Sequence, residues 1–318
     1  MLDYDTEAAV YDATRGGPQR AEQAAAAIAG LIGEQGPVID IGGGTGIVAA
    51  ALTTPGRPVL VADASTGMLT AAHTRLPGRA VRADALALPF RDASVPAVIC
   101  VWLLHLLPHA TAEAVCAEAA RVLAPGGVFA TTVDKAAAHD TGSDLDIILR
   151  DLRRAAGADS RAADDHAHLG RHCAALGLTE AATTTFTGTG QGRTPATLIA
   201  HLRDGRRFAW MGDLPAEAVG AALAALAALP GQHTRRPDPR YTLASWTTRV
   251  GAPPLPPWPP SPDSTPGAPT PATRSPPGPP PRDTRLGERS GKRPPAARRA
   301  PPPRRTPWKT QPPTREQP

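Results

Sequence analysis

The sequence predicts an α/β fold in which helices cover both faces of a parallel sheet. Three observations carry this. Short apolar runs, VIDI, PVLVA, VICVWLL and VFATTV, recur between residues 38 and 133 and are bounded by turn residues. Continuous apolar runs of this length are the pattern of strands buried on both faces. The segments between them have helical composition, and the first run passes through GGGTG directly into an Ala/Val/Leu helix.

The elements follow in order. Residues 1–36 read as a helical cap, with 19–32 rich in Ala, Glu and Gln and closed by Gly33 and Gly36. Strands are expected at 38–41, 58–62, 80–83, 98–104 and 128–133. Helices are expected at 47–52, 66–75 and 111–123. The last of these stops at Ala124-Pro125-Gly126-Gly127, where proline and glycine cannot continue it. Beyond Asp134 the pattern gives helices at 145–154, 162–176, 195–203 and 215–229, and late strands at 182–186 and 241–250.

Charge divides the chain. Of its 318 residues, 251–318 hold 24 of the 38 prolines and 12 basic residues against 4 acidic ones. Residues 1–250 carry 22 basic against 25 acidic residues, so the net +5 belongs to the tail. An acidic body gives no footprint for nucleic acid. The tail lacks the apolar residues to offset ordering entropy and is expected to be disordered. Its PPLPPWPP run has the chemistry of a groove ligand and KRPPAARRAPPPRR that of a polyanion contact, though a plain extension accounts for both. The domains expected are therefore the 1–36 cap, a 37–250 body and the 251–318 tail. Cys100, Cys116 and Cys173 form no CxxC pair and read as core residues of a reducing compartment. No leader-like or membrane-spanning apolar run is evident, so a cytoplasmic location is expected.

The turn VIDIGGGTGIVAAAL (38–52) asks which ligand needs bare backbone at a strand-to-helix junction. Glycines there let a ligand approach without Cβ clashes and open a helix N-terminus. The dinucleotide pattern G-x-G-x-x-G fails because its third position falls on Ile47. The pattern present is D-x-G-x-G-x-G, through Asp40, Gly42, Gly44 and Gly46. A pyrophosphate would be repelled by Asp40, whereas S-adenosylmethionine carries an ammonium and a sulfonium. A turn or cap carboxylate is the alternative for Asp40. Asp63, ending VLVAD, can accept two ribose hydroxyls, and Asp84 in RADALALPF can accept an adenine amine; Ala64 and Ala85 follow them in the same segments. Met68 can pack on the adenine face or in the core.

These residues resemble the class I S-adenosylmethionine-dependent methyltransferases, in particular the small-molecule branch that includes quinone-biosynthesis enzymes. VIDIGGGTG is similar to the first motif of that family, VADAS to its acidic ribose loop, RADALALPF to its adenine segment, and RVLAPGGVFATTV to its turn before strand five. The resemblance covers about residues 1–250. It implies a Rossmann-like, doubly wound seven-stranded sheet in the order 3-2-1-4-5-7-6 with the seventh strand antiparallel. It also places Tyr11 and Arg15, in YDATRGG, over the methionine end of the cofactor, with Tyr4 a less close match. One departure is Pro96, which stands where the family has an aspartate at the start of strand four.

Methyl transfer needs the acceptor atom about 3–3.5 Å from the methyl carbon, opposite sulfur, and a base only for an early proton loss. His105, just past strand four, is the candidate base or positioning group, with loop packing as its alternative. Trp102 reads as a pocket wall or core residue and Asp134 as a possible acceptor contact. Asp164, His168 and His172 share one face of the expected 162–176 helix but lack a completing ligand, so no metal site is expected. Arg203, Arg206, Arg207 and Trp210 can line an acceptor pocket or a surface. No [ND]-P-P-[YF] or Pro-Cys motif is present, which leaves a small-molecule acceptor and no nucleic acid. A non-catalytic cofactor-binding protein, a nicotinamide oxidoreductase and a tail-anchored nucleic-acid methyltransferase are the competing readings. Truncation after Val250 is predicted to leave the melting temperature within about 2 °C of the full chain, since a segment without a core adds little burial. Scanning calorimetry of the two forms checks this, and a larger drop means that the tail packs.

Overall fold

The computed structural model describes residues 4–34, 36–157, 162–204 and 214–249. Seven strands, β1 (Val38–Ile41), β2 (Val59–Asp63), β3 (Ala80–Arg82), β4 (Val95–Cys100), β5 (Leu123–Val133), β6 (Thr179–Thr187) and β7 (Arg240–Thr247), form one sheet. Its order is β3-β2-β1-β4-β5-β7-β6. β1 lies parallel to β2 and β4, while β7 runs antiparallel to both β5 and β6. The sheet expected from the family resemblance is therefore present, including its reversed seventh strand.

The two faces follow from the alternation of side chains along each strand. On one face Val38, Val59, Val61, Ala97 and Ile99 pack against α2 (Gly17–Ile32), α3 (Ile47–Leu52) and α4 (Thr66–Arg75). The buried stripe of α2, Ala21, Ala24, Ala25, Ile28 and Ile32, has helical spacing. On the other face Ile39, Ile41, Val98, Cys100 and Phe129 pack against α5 (His109–Val122) and α7 (His166–Ala175). A third cluster joins α6 (Asp144–Ala155), α8 (Pro195–Arg203) and α9 (Ala216–Ala228) through Leu145, Leu149, Leu152, Leu198 and Leu226. Cys100, Cys116 and Cys173 are free and buried. No described helix is long and apolar enough to cross a membrane.

The structure revises several expected boundaries. The lead-in is two helices, because Gly16 and Gly17 take positive φ (92° and 59°) between α1 (Tyr4–Thr14) and α2. The fourth strand begins at Val95 and includes Pro96, three residues earlier than expected. The register shifts there: Val95 faces Leu123 while Ala97 faces Val128. A proline with no N–H is tolerated at such an irregularity. Gly36 and Gly127 close on it, and a Cβ at Gly36 would stand 2.6 Å from Pro96 Cγ. The helix expected at 162–176 starts only at His166, because Asp165 caps it by accepting from the His168 amide at 2.7 Å. The 251–318 tail, Arg206, Arg207 and Trp210 lie outside the described residues.

The centre of the sheet is its most tightly packed part. Phe129 is 0% exposed and stacks on Trp246 at 6.1 Å. Phe129→Ala is expected to cost about 3–5 kcal/mol, the lost transfer energy plus a cavity. Chemical denaturation followed by tryptophan fluorescence measures it.

Candidate functional site

In open α/β sheets ligands bind outside the carboxyl ends of the strands. Here the chain leaves β1 through Gly42, Gly44 and Gly46, with φ of 65°, 55° and 70°. Left-handed backbone of this kind strains any residue with a Cβ. The positions differ in what surrounds them. A Cβ at Gly42 would stand 2.8 Å from Leu103 Cδ2, and one at Gly46 3.2 Å from Ala72 Cβ. At Gly44 the nearest atom is Met68 Sδ at 3.7 Å, so only backbone conformation excludes a side chain there. Met68 itself is 1% exposed beneath this loop.

Two carboxylates flank the glycines and have different surroundings. Asp63, the last residue of β2, accepts from the Gly44 amide at 2.9 Å and from the Ser65 amide at 2.8 Å. Each oxygen is thereby fixed while retaining a lone pair for a further donor. Asp40 was expected to face a ligand as an anion. It is 2% exposed and lies under the loop, with Oδ2 2.6 Å from where a Cβ at Gly43 would be. Burial first, and the Asp63 charge second, push its carboxyl up to about 8. In this structure Asp40 is thus a largely protonated group at neutral pH. Asp84 is exposed beyond β3 and accepts from the Leu86 amide at 2.9 Å; Ala64 is exposed and Ala85 half-buried beside these carboxylates.

The N-terminal helix is fastened across the loop by two aspartates. Asp5 accepts from Ser65 Oγ at 2.6 Å and from the Gly67 amide at 2.8 Å at the start of α4. These hydrogen bonds hold the Asp5 carboxyl below its ordinary value. Asp12 accepts from Thr45 Oγ1 at 2.7 Å and pairs with Arg75. Arg75 in turn donates to the Thr45 carbonyl at 2.7 Å. This carries Tyr4, Tyr11 and Arg15 to the loop. The Arg15 guanidinium lies 5.5 Å from the Tyr11 ring centroid. Burial, then Tyr11, raises the Tyr4 phenol, with Asp63 also close enough to contribute.

Beyond β4 and β5 the edge changes character. Trp102 and Asp134, at the ends of these neighbouring strands, both take positive φ (58° and 49°). Such strain collects at functional sites. Arg20 from α2 is 7% exposed and lies 3.7 Å above the centroid of the Trp102 ring. The other edge of that ring meets Tyr241 at 5.5 Å and Phe186 at 5.8 Å. Tyr241 donates to Gln191 Oε1 at 2.9 Å and meets the His139 ring at 5.8 Å. Burial lowers Arg20 and Arg193. It also lowers Lys135 to about 8, with Asp164 opposing and Arg15, Arg20 and Arg193 adding to the fall. Trp102 Nε1 and His105 Nδ1 are buried without a hydrogen-bond partner among the described residues. Burial, then Lys135 and His139, push His105 down to about 2, so its imidazole stays neutral.

The expected Asp164–His168–His172 face does not form. Asp164 lies outside α7, 1% exposed, and accepts from the Lys135 amide at 2.9 Å. His168 pairs with Glu113 at 3.0 Å and His172 bonds to the Glu113 carbonyl at 3.0 Å. Among the described residues no group of three or more His, Cys, Asp or Glu side chains could hold a metal ion. Arg203 ends α8 exposed.

Residues 39–131 match a protein-family profile described as a methyltransferase domain. This segment is similar to methyltransferase domains. Two curated relatives are demethylmenaquinone methyltransferases. The one from Clavibacter sepedonicus is 39% identical over 107 residues, 32% of this chain and 41% of that protein. The one from Beutenbergia cavernae is 40% identical over 91 residues, 28% of this chain and 37% of that protein. The chain therefore spans about two fifths of the length of these relatives. A crystal structure of a Bacillus halodurans protein assigned as a methyltransferase aligns with 72% of this chain and 98% of its own, at 18% identity and a TM-score of 0.47.

The segment so matched contains the glycine loop, Asp40, Asp63, Asp84, Trp102 and His105. Lys135, His139, Arg193 and Tyr241 lie past it, and Tyr11, Arg15 and Arg20 precede it. Sequence reasoning missed Arg20, Lys135, His139, Arg193 and Tyr241. They come from separate segments with no shared spacing; the one signal available was the position of Lys135 next to Asp134 at the end of a strand.

Asp40 makes a prediction about pH. Its folded pKa of about 8 lies above the ordinary aspartate value of 3.8, so the folded state holds a proton that the unfolded state releases between those values. Stability must then fall as pH rises through this window, by up to about 1.4 kcal/mol per unit from this group, and level off above it. Asp40→Asn removes that dependence. Relative to the parent, the variant is expected to be increasingly stabilised between pH 5 and about pH 8. Paired thermal melts across that range test it; a constant difference would mean that Asp40 is ionised in the folded state.

Proposed function

We propose that this protein is an S-adenosylmethionine-dependent methyltransferase with a small-molecule acceptor. The observation that carries this is the Asp63 carboxylate, fixed by the Gly44 and Ser65 amides at a loop whose three glycines hold left-handed backbone. Its location in the segment matched by the methyltransferase profile supports the same reading.

The residues fit that cofactor. The open face of Gly44 admits a ligand against the backbone. Asp63 has lone pairs directed at two neighbouring hydroxyls, as a ribose presents them. Asp84 is the acceptor for an exocyclic amine. Tyr11 and Arg15 cover the amino-acid end, where the guanidinium suits a carboxylate. Asp40 supplies a negative charge beneath the loop once a cationic ligand lowers its pKa. Bound S-adenosylmethionine supplies a methyl group on a sulfonium, already a good leaving group.

The chain's own task is then positional. α1, tied down through Asp5 and Asp12, excludes water from above the loop. Trp102 and Asp134 define the acceptor side, about where in-line attack requires the nucleophile. His105, held neutral with a free Nδ1, acts as a hydrogen-bond partner that orients the acceptor. A group that titrates near 2 is a weak proton acceptor at neutral pH, so His105 is not the base. The relatives' named substrate, a demethylated menaquinone, is one acceptor to test.

Asp63→Ala is expected to weaken binding of S-adenosylhomocysteine by about tenfold to a hundredfold, the loss of one or two hydrogen bonds to a charged acceptor. Calorimetry on variants whose melting is intact measures this. Unchanged affinity rejects the ribose assignment, and tight NADH binding at the parent loop rejects the cofactor.

A further inference from the structure

Asp40 is a carboxyl buried at the ligand loop and held by no partner. Its register neighbours are Val61 of β2 and Ile99 of β4, both 0% exposed and both on the face that packs against α2, α3 and α4. Gly43 lies directly against it. This glycine does not share the positive φ of Gly42, Gly44 and Gly46, so its missing side chain serves space rather than conformation. A Cβ there would stand 2.6 Å from Asp40 Oδ2 and 2.7 Å from Cγ. With the described residues Asp40 forms no hydrogen bond or ion pair.

The ionisable groups on the surrounding elements do not supply a counter-charge. Asp63 of β2 is a like charge and pushes the Asp40 carboxyl further up. Cys100 of β4 is a neutral thiol, raised by burial first and by Asp40 second. α3 (IVAAAL) carries no ionisable side chain. On α2, Arg20 lies on the Trp102 ring and Glu22 is exposed. On α4, Arg75 is paired with Asp12 and His73 is exposed. Arg15 of α1 stacks near the Tyr11 ring. A buried carboxyl in such surroundings keeps its proton until a cation takes the proton's place.

Resting on the reading of this loop as a site for S-adenosylmethionine, we propose that the loop admits its ligand in exchange for the Asp40 proton. The positive charge of the ligand stabilises the carboxylate, and the proton leaves to solvent. Asp40 thereby selects ligands by charge: a nucleoside that brings no cation leaves the carboxyl protonated. Tight binding needs the ionised form, which is the minor form of the free protein below about pH 8. Affinity for a cationic ligand therefore rises with pH and levels off above that value.

The test is calorimetry of the full chain with S-adenosylmethionine and, separately, methylthioadenosine, in pairs of buffers of different ionisation enthalpy between pH 6 and pH 9. S-adenosylmethionine is expected to release about one proton at pH 7 and to bind about fiftyfold more tightly at pH 8 than at pH 6. Methylthioadenosine, with neither ammonium nor sulfonium, is expected to release none and to bind equally at both. Lys135, lowered by burial to about 8, is the rival source of a proton. Asp40→Asn should abolish the release and flatten the pH dependence, and Lys135→Gln should leave both unchanged. S-adenosylmethionine binding to the parent without proton release overturns the proposal, and this result stands even if Asp40→Asn does not fold. Release that persists in Asp40→Asn, or that is lost in Lys135→Gln, also overturns it, because the proton then comes from another group. Equal release by methylthioadenosine overturns the selection by charge. The cofactor reading fails in a different way, by S-adenosylmethionine not binding at any pH in this range, and the proposal then falls with it.

Discussion

The hydrogen bond from the Gly44 amide to the Asp63 carboxylate joins the tips of β1 and β2 and sets the shape of everything above them. It forms because Gly44 holds a φ of 55°, which turns its N–H toward the neighbouring strand. The Ser65 amide holds the second oxygen, and Ser65 then caps α4. One carboxylate thereby fixes the loop, orients itself and starts the next helix. Residues with a Cβ at the three left-handed positions would add strain at the one place where backbone must stay open.

The N-terminal helix depends on the same region. Asp5 and Asp12, seven residues apart on α1, bind on opposite sides of it: Asp5 at the start of α4, Asp12 at Thr45 and Arg75. These are exposed or half-exposed contacts, each weakened by solvent screening. A helix held by several such contacts can open locally without unfolding the sheet.

The edge has two opposed electrostatic halves. Asp63 ends β2 and Asp84 follows β3, while Arg20, Lys135 and Arg193 are buried nearer β4, β5 and β7. The ammonium and sulfonium of the proposed cofactor complement the first side. The boundary between β1 and β4 is where the sheet topology reverses.

The amino-acid sequence by itself determined the strand and helix alternation and the glycine turn, because apolar runs and turn residues act over a few neighbours; the order of the sheet came from the resemblance of its motifs to a known family. Its boundaries failed where a distant partner intervened: Pro96 joins β4 only because the register shifts opposite Leu123, and Asp165 stops α7 short of Asp164. Within the site, Asp63 and the three glycines were legible from their spacing. The burial of Asp40 was not, since it depends on Gly43 folding back over its carboxylate. Tertiary structure alone decided the basic aromatic half. Arg20, Trp102, Lys135, Arg193 and Tyr241 share no period, and the burial that lowers the pKa of Arg20, Lys135 and Arg193 is a property of the packed whole.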